Sequence, residues 1–137
     1  MGKFALQIKI SAIFWLGFVS WVALICYLSS KPQNELQNPL FDIPFGDKIL
    51  HVAAFAAGSC LLALALRTST EFPRAKVIVW CVVAIGIFGV IDEWHQLYTP
   101  SRSGGDPFDW LADVTGATLG TFTALSIDAR IRNFTGR

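Results

Sequence analysis

The sequence predicts an all-α, polytopic membrane protein with four transmembrane helices in a bundle. Three observations carry this. Charged residues make up 15% of the 137 residues and hydrophobic ones 53%, whereas soluble chains carry roughly 25% charged residues; that is too few to cover a soluble domain of this size. Apolar stretches recur four times, each close to the roughly 20 residues that cross a bilayer as a helix. The ionisable residues in or beside those stretches gather in three groups. A helix satisfies its own backbone polar groups in lipid, so it is the form each stretch takes. The length fits a single domain over residues 1–137. A net charge of +1 gives no basic footprint for nucleic acid.

The first stretch runs from about Ile10 to Leu28 and holds no Asp, Glu, Lys, Arg or His. Lys3 and Lys9 ahead of it resemble the basic start of a signal peptide, but the apolar run exceeds the roughly 7–15 residues of such a segment. No A-x-A site follows, and Leu24-Ile25 before Cys26 makes a poor lipoprotein processing site, so a retained span is expected. The loop to about Gly46 holds Pro32, Pro39 and Pro44 and should be extended and turn-rich. The second stretch opens near Asp47 and continues to about Leu66, the third spans about Lys76 to Leu97, and the fourth about Pro107 to Ile127. Asp106 before Pro107 reads as a helix N-cap with proline at the first helical position. Asp109 adds a cap-like partner and complements the helix dipole. Cys26, Cys60 and Cys81 stand apart in apolar runs and read as buried small hydrophobes.

Lys and Arg in the connections set the orientation. Lys3 and Lys9 precede the first span, Arg67, Arg74 and Lys76 lie between the second and third, and Arg130, Arg132 and Arg137 follow the fourth. The other two connections hold Lys31, Lys48 and Arg102. Both termini are therefore expected in the cytoplasm, with the loops from about Ser29 to Gly46 and Tyr98 to Asp106 facing outward. Phe41, Ile43, Phe45, Trp94, Tyr98 and Trp110 would form an aromatic belt at the outer boundary.

The polar residues are the most informative part of the chain. Asp47, Lys48 and His51 open the second span, Asp92, Glu93 and His95 close the third, and Arg102, Asp106, Asp109 and Asp113 precede and begin the fourth. Alternating helix directions bring all three groups to the outer side. Charges inside a bilayer are costly, so His51 and Asp113 should face one another or a water-filled pocket rather than lipid. Asp47, His51 and Phe55 share one helix face; Glu93 shares a stripe with Gly86, Gly89 and Gln96; Asp92 aligns with His95. Asp109, Asp113, Gly116 and Gly120 form a stripe on the fourth span, and the glycine pair allows close helix approach. Close packing of the third and fourth helices would bring Glu93 near Asp113.

The pattern Asp47-Lys48-x-x-His51-x-x-x-Phe55, Asp92-Glu93-x-His95-Gln96, Arg102-Ser103, Asp109, Asp113, Gly116, Gly120 resembles the VanZ-like membrane protein family, from Asp47 to about Gly120. The resemblance implies a small integral protein of the bacterial inner (plasma) membrane. The family's founding member is associated with teicoplanin resistance at the cell envelope. The family often carries asparagine where this chain has Asp113, which leaves open whether that residue is a hydrogen bonder or an acid.

Three readings of the cluster stay open. In the first, a membrane-embedded enzyme acts on a lipid or lipid-linked phosphate: His51, Glu93, Asp113, Asp92 and His95 are the candidate catalytic groups. Lys48, Arg102, Gln96, Asp109 and Asp47 are the candidate substrate binders, with Arg able to grip two oxygens at once. In the second, the cluster binds an envelope lipid or antibiotic without turnover; in the third, it is a salt-bridge network locking the bundle. Ser101-Arg102 invites comparison with the S-R-x5-H-x3-D run of type-2 phosphatidic acid phosphatases, but Phe108 stands at the histidine position. Two histidines and several carboxylates offer zinc or manganese ligands, yet no paired-ligand spacing selects them, so no metal or other cofactor is assigned.

Overall fold

The computed structural model describes residues 2–36 and 39–135, with side chains described over 7–36, 39–40 and 43–131. Four long helices follow in order, α1 (Gly2–Ser29), α2 (Gly46–Ser69), α3 (Arg74–Gln96) and α4 (Pro107–Thr135), and no strand occurs among the described residues. Two short 3₁₀ turns, Gln33–Glu35 and Pro39–Asp42, fold the proline-containing loop after α1. Phe41 of the expected aromatic belt, and Lys3, Arg132 and Arg137 of the expected charge asymmetry, lie outside the described side chains.

Among the described residues, three helices are long and apolar enough to cross a membrane: Gln7–Ser29, Gly46–Ser69 and Arg74–Gln96. The expected fourth span is a helix of 29 residues but is not among them. Its composition explains the difference. Where α1 to α3 carry Val, Ile and Leu, α4 carries Asp109, Asp113, two glycines and a series of threonines. The helix absorbs much of that polarity itself, since Thr115, Thr118, Thr121 and Thr123 each donate to the carbonyl four residues back at 2.8 Å. It also packs along α2 more extensively than any other pair of helices pack, and along α3 as well.

The core draws on all four helices, with Trp21 and Ile25, Phe55 and Leu62, Val77 and Ile85, and Ala117 and Leu125. Leu16, Val79, Ile87 and Leu119 point outward, as side chains facing lipid tails do without penalty. Of the cysteines, Cys81 is buried and Cys60 half-buried, but Cys26 is exposed on the outer face of α1. The expected burial fails there because an apolar run in a membrane helix does not distinguish a core face from a lipid face.

Gly116 and Gly120 make the close approach of α4 to α2. A Cβ at Gly116 would lie 2.4 Å from the Val52 carbonyl oxygen, and one at Gly120 2.0 Å from that of Ala56, both on α2. The α3–α4 approach is made from the α3 side, where a Cβ at Gly89 would lie 2.7 Å from Asp113 Oδ2.

Chain reversals put the end of α1, the start of α2, the end of α3 and the start of α4 at one end of the bundle. Arg102 Nη2 donates there to the Leu28 carbonyl at 3.1 Å, and the Ser29 hydroxyl donates to Asp92. The opposite end is closed by Arg67 Nε on Asp128 Oδ2 at 2.9 Å and by Arg74 Nη2 on the Leu125 carbonyl at 2.7 Å. Ile43, Phe45, Trp94 and Tyr98 are exposed, and the rings of Trp94 and Tyr98 meet edge to face. Trp110 adds a fastening, its indole N–H donating to the Gly86 carbonyl of α3 at 3.0 Å.

Candidate functional site: a polar chamber at one end of the bundle

Helical periodicity puts Asp47, His51 and Phe55 on one face of α2. Phe55 is buried and forms the floor, its ring stacked with that of His51 at 6.1 Å between centroids and edge to face with Trp21 at 5.5 Å. Above it, His51 Nδ1 donates to Asp113 Oδ1 at 2.8 Å. Asp113 is 0% exposed, so it faces this imidazole and not lipid. The other ring nitrogen, Nε2, lies 3.8 Å from Asp109 Oδ1.

Glu93 enters from the last turn of α3 and is 5% exposed. Its Oε2 accepts the backbone N–H of Asp106 at 2.9 Å, while Oε1 is buried without a hydrogen-bond partner. His51, Glu93 and Asp109 each offer one nitrogen or oxygen such that all three atoms lie within 4.8 Å of one another. Residues from α2, α3 and α4 therefore converge here.

Lys48 sits among three carboxylates. Its Nζ is 2.9 Å from Asp47 Oδ2, 2.7 Å from Asp106 Oδ2 and 2.7 Å from Asp109 Oδ1. Asp106 caps α4 as expected, its Oδ1 accepting the Phe108 N–H at 2.8 Å. It does more than cap, because the hydrogen bond from Lys48 holds its carboxyl below the ordinary carboxylate range. Asp109, expected to share the capping, is paired with Lys48 instead.

Asp92 and Gln96 form an adjoining branch. Gln96 Nε2 donates to Asp92 Oδ2 at 2.8 Å, and Ser29 holds the other oxygen. Both line a cavity of about 290 Å³ with Asp47, His51, Arg102 and the apolar Ile25, Leu28, Leu36, Leu50, Ala54 and Phe55. A second cavity of about 290 Å³ shares Asp47, His51, Gln96 and Arg102 and adds Gln33, Ser101, Ser103 and Asp109. The two form one cleft, apolar below and polar above. Arg102 stands on its wall, with Nη1 donating to Gln33 Oε1 at 2.9 Å and Nε buried without a partner. Burial lowers the guanidinium from its ordinary value, and Asp92, Glu93 and Asp109 oppose that shift.

His95 is not brought into the chamber. It is exposed, and its Nε2 lies 3.0 Å from the Ser30 hydroxyl. Two participants escaped the sequence reading, Ser29 and Gln33. Ser29 ends an apolar stretch beside Ser30 and Lys31, where a serine reads as the start of a loop, and nothing in its local pattern points to Asp92.

Fold and chamber together define an all-helical integral membrane protein with a buried ionisable cluster at one end. The chain belongs to the VanZ/LLP1 family, whose family model matches residues 12–128 and so takes in most of α1 as well as the polar motifs. No curated protein and no solved structure gives a significant match.

Proposed function

We propose that the chain, acting as a single domain over residues 1–137, is an envelope enzyme that modifies a lipid or lipid-linked phosphate in an outward-facing cleft. The observation that carries this is the cleft itself, with leucines, Ile25 and Phe55 on one side and His51, Asp47, Gln96 and Arg102 on the other. An amphipathic slot of this kind suits a headgroup and the first part of its chain. His51, oriented by Asp113, is the proton carrier. Glu93, with one free oxygen, is the general base. Arg102 grips a phosphate oxygen, with Asp109 on the same cleft and Asp92 and Gln96 bordering the headgroup. Arg67, Arg74, Lys76 and Arg130 at the far end favour placing that end, and both termini, in the cytoplasm of a bacterial inner membrane.

A non-enzymatic binding module is the second reading. The saturation of Lys48 by three carboxylates favours a third, a salt-bridge network that locks the bundle, because that ammonium is not free to hold a phosphate. Incubating the purified full chain with envelope lipids, followed by mass spectrometry, decides among them. A chemically changed lipid is expected with wild type, and none with Glu93→Gln or His51→Ala that still insert and accumulate. Lipid returned unchanged by wild type overturns the enzyme. Variants lost from the membrane, with wild type inactive, point to a structural network.

A further inference from the structure

We propose that His51, Glu93 and Asp109 hold one divalent transition-metal ion of the zinc or manganese type. The inference deepens the reading above and rests on the same chamber, but it is tested by binding and not by turnover. Three atoms within 4.8 Å of one another lie no further than about 2.8 Å from the centre of their enclosing circle. Zinc bonds to His and carboxylate are about 2.0–2.2 Å, so each ligand needs to move inward by less than ~1 Å, within reach of side-chain rotation.

The imidazole is already arranged as a ligand. Asp113 Oδ1 accepts a hydrogen bond from His51 Nδ1–H over 2.8 Å, which is how a buried carboxylate orients a metal-binding histidine. Nε2 is left facing Asp109 Oδ1 at 3.8 Å, too far for a hydrogen bond but near the separation of two ligands on one ion. Glu93 supplies the independent observation. It is 5% exposed, Oε2 is fixed by the Asp106 N–H, and Oε1 is buried with no partner. A buried carboxylate oxygen left bare is costly, and a cation between Glu93, His51 and Asp109 removes that cost.

Charge points the same way. The carboxylates of Asp47, Asp92, Glu93, Asp106, Asp109 and Asp113 face Lys48 and Arg102 as the permanent cations of the chamber. Lys48 Nζ, 2.7 Å from Asp109 Oδ1, competes for one ligand, and it keeps Asp47 and Asp106 when it yields Asp109. With the ion bound, His51 Nε2 and Glu93 Oε1 are ligands and give up the roles of proton carrier and general base, and the ion itself would polarise a phosphoryl oxygen or acidify a water in the cleft.

The test uses the full chain in detergent, stripped with a chelator and dialysed against zinc or manganese, with metal content read by mass spectrometry. One equivalent per chain is expected with one of the two ions. Glu93→Gln and Asp109→Asn should each weaken binding by about tenfold or more, and Lys48→Met should strengthen it by removing the competitor. Cobalt soaked into the stripped wild type should give the visible absorption of a nitrogen- and oxygen-ligated site, which decides the matter even where the site variants fail to fold. Wild type with less than a tenth of an equivalent of either ion and no cobalt spectrum overturns the proposal, as does Glu93→Gln binding as tightly as wild type. Stoichiometric metal without lipid turnover leaves the metal site standing and removes the enzyme.

Discussion

Gly116→Ala isolates the contact on which the chamber depends. A Cβ at this position would lie 2.4 Å from the Val52 carbonyl oxygen and 3.0 Å from the Ala56 nitrogen, against 3.4–4 Å for ordinary contact. Both neighbours are backbone of α2 and cannot step aside alone, so α2 and α4 must part by about 1 Å at this level. Val52 adjoins His51, and Gly116 lies one helical turn from Asp113, so the strain falls beside their 2.8 Å hydrogen bond. Stretching that bond by about 1 Å takes it beyond hydrogen-bonding range. Overpacking costs about 1–3 kcal/mol, and leaving a fully buried carboxylate without its partner adds a cost of about 1–3 kcal/mol. Gly86→Ala is the matched control, because its Cβ meets Val114 at an ordinary 3.5 Å. Alanine is the better helix former by about 1 kcal/mol, so that variant should be neutral or slightly more stable. Thermal unfolding in detergent, followed by tryptophan fluorescence, should show Gly116→Ala melting well below wild type and Gly86→Ala at or above it. Equal melting of Gly116→Ala and wild type, or equal losses in both variants, refutes the close-contact argument.

Asp106 has a carboxyl held below its ordinary value near 3.8 by Lys48, so its contribution is present above that value and is lost as the pH falls through the lower folded value. Asp106→Asn keeps an N-capping oxygen but not the charge, so the difference in melting between variant and wild type should stay flat from about pH 8 to 5 and close below about pH 4; a difference that persists at low pH refutes the ion-pair account. Ser59 and Thr121 share a buried hydroxyl pair at 2.8 Å, and a double-mutant cycle with Ser59→Ala and Thr121→Val should give a coupling of about 0.6 kcal/mol, at most ~1.7 kcal/mol; zero coupling shows that the pair contributes nothing.

The helices were legible because hydropathy and length report them directly, and α2 and α3 begin and end within a few residues of the expected bounds. The convergence of His51, Glu93 and Asp113 was legible for a different reason: chain reversal fixes which helix ends share a level. The partner of each face was not legible. A Gly-x-x-x-Gly stripe states that some backbone comes close but not whose, and Gly116 and Gly120 meet α2. Asp92 and His95 share a stripe on α3, yet Asp92 is buried against Ser29 and His95 is exposed beside Ser30. The stripe broadens at the last turn of a helix, where a small rotation decides between chamber and surface. Lys48 read as a candidate substrate binder, and its three carboxylates come from two helices and a loop.

Asp113 is the position where charge and hydrogen bonding separate. Its Oδ1 accepts a hydrogen bond from His51 Nδ1–H at 2.8 Å, while Oδ2 is buried without a partner against Gly89. One oxygen therefore makes the contact with His51. Asparagine presents a carbonyl oxygen to the same N–H and exchanges one unpartnered atom for another at little net cost. Asp113→Asn should therefore keep the proton on Nδ1, read from the imidazole nitrogen chemical shifts in histidine-labelled protein. Asp113→Val offers no acceptor and should let the proton redistribute between the two nitrogens. Asp113 then acts as an orienting acceptor for His51, and a proton that leaves Nδ1 in Asp113→Asn as readily as in Asp113→Val shows that the charge, and not the acceptor, fixes the ring.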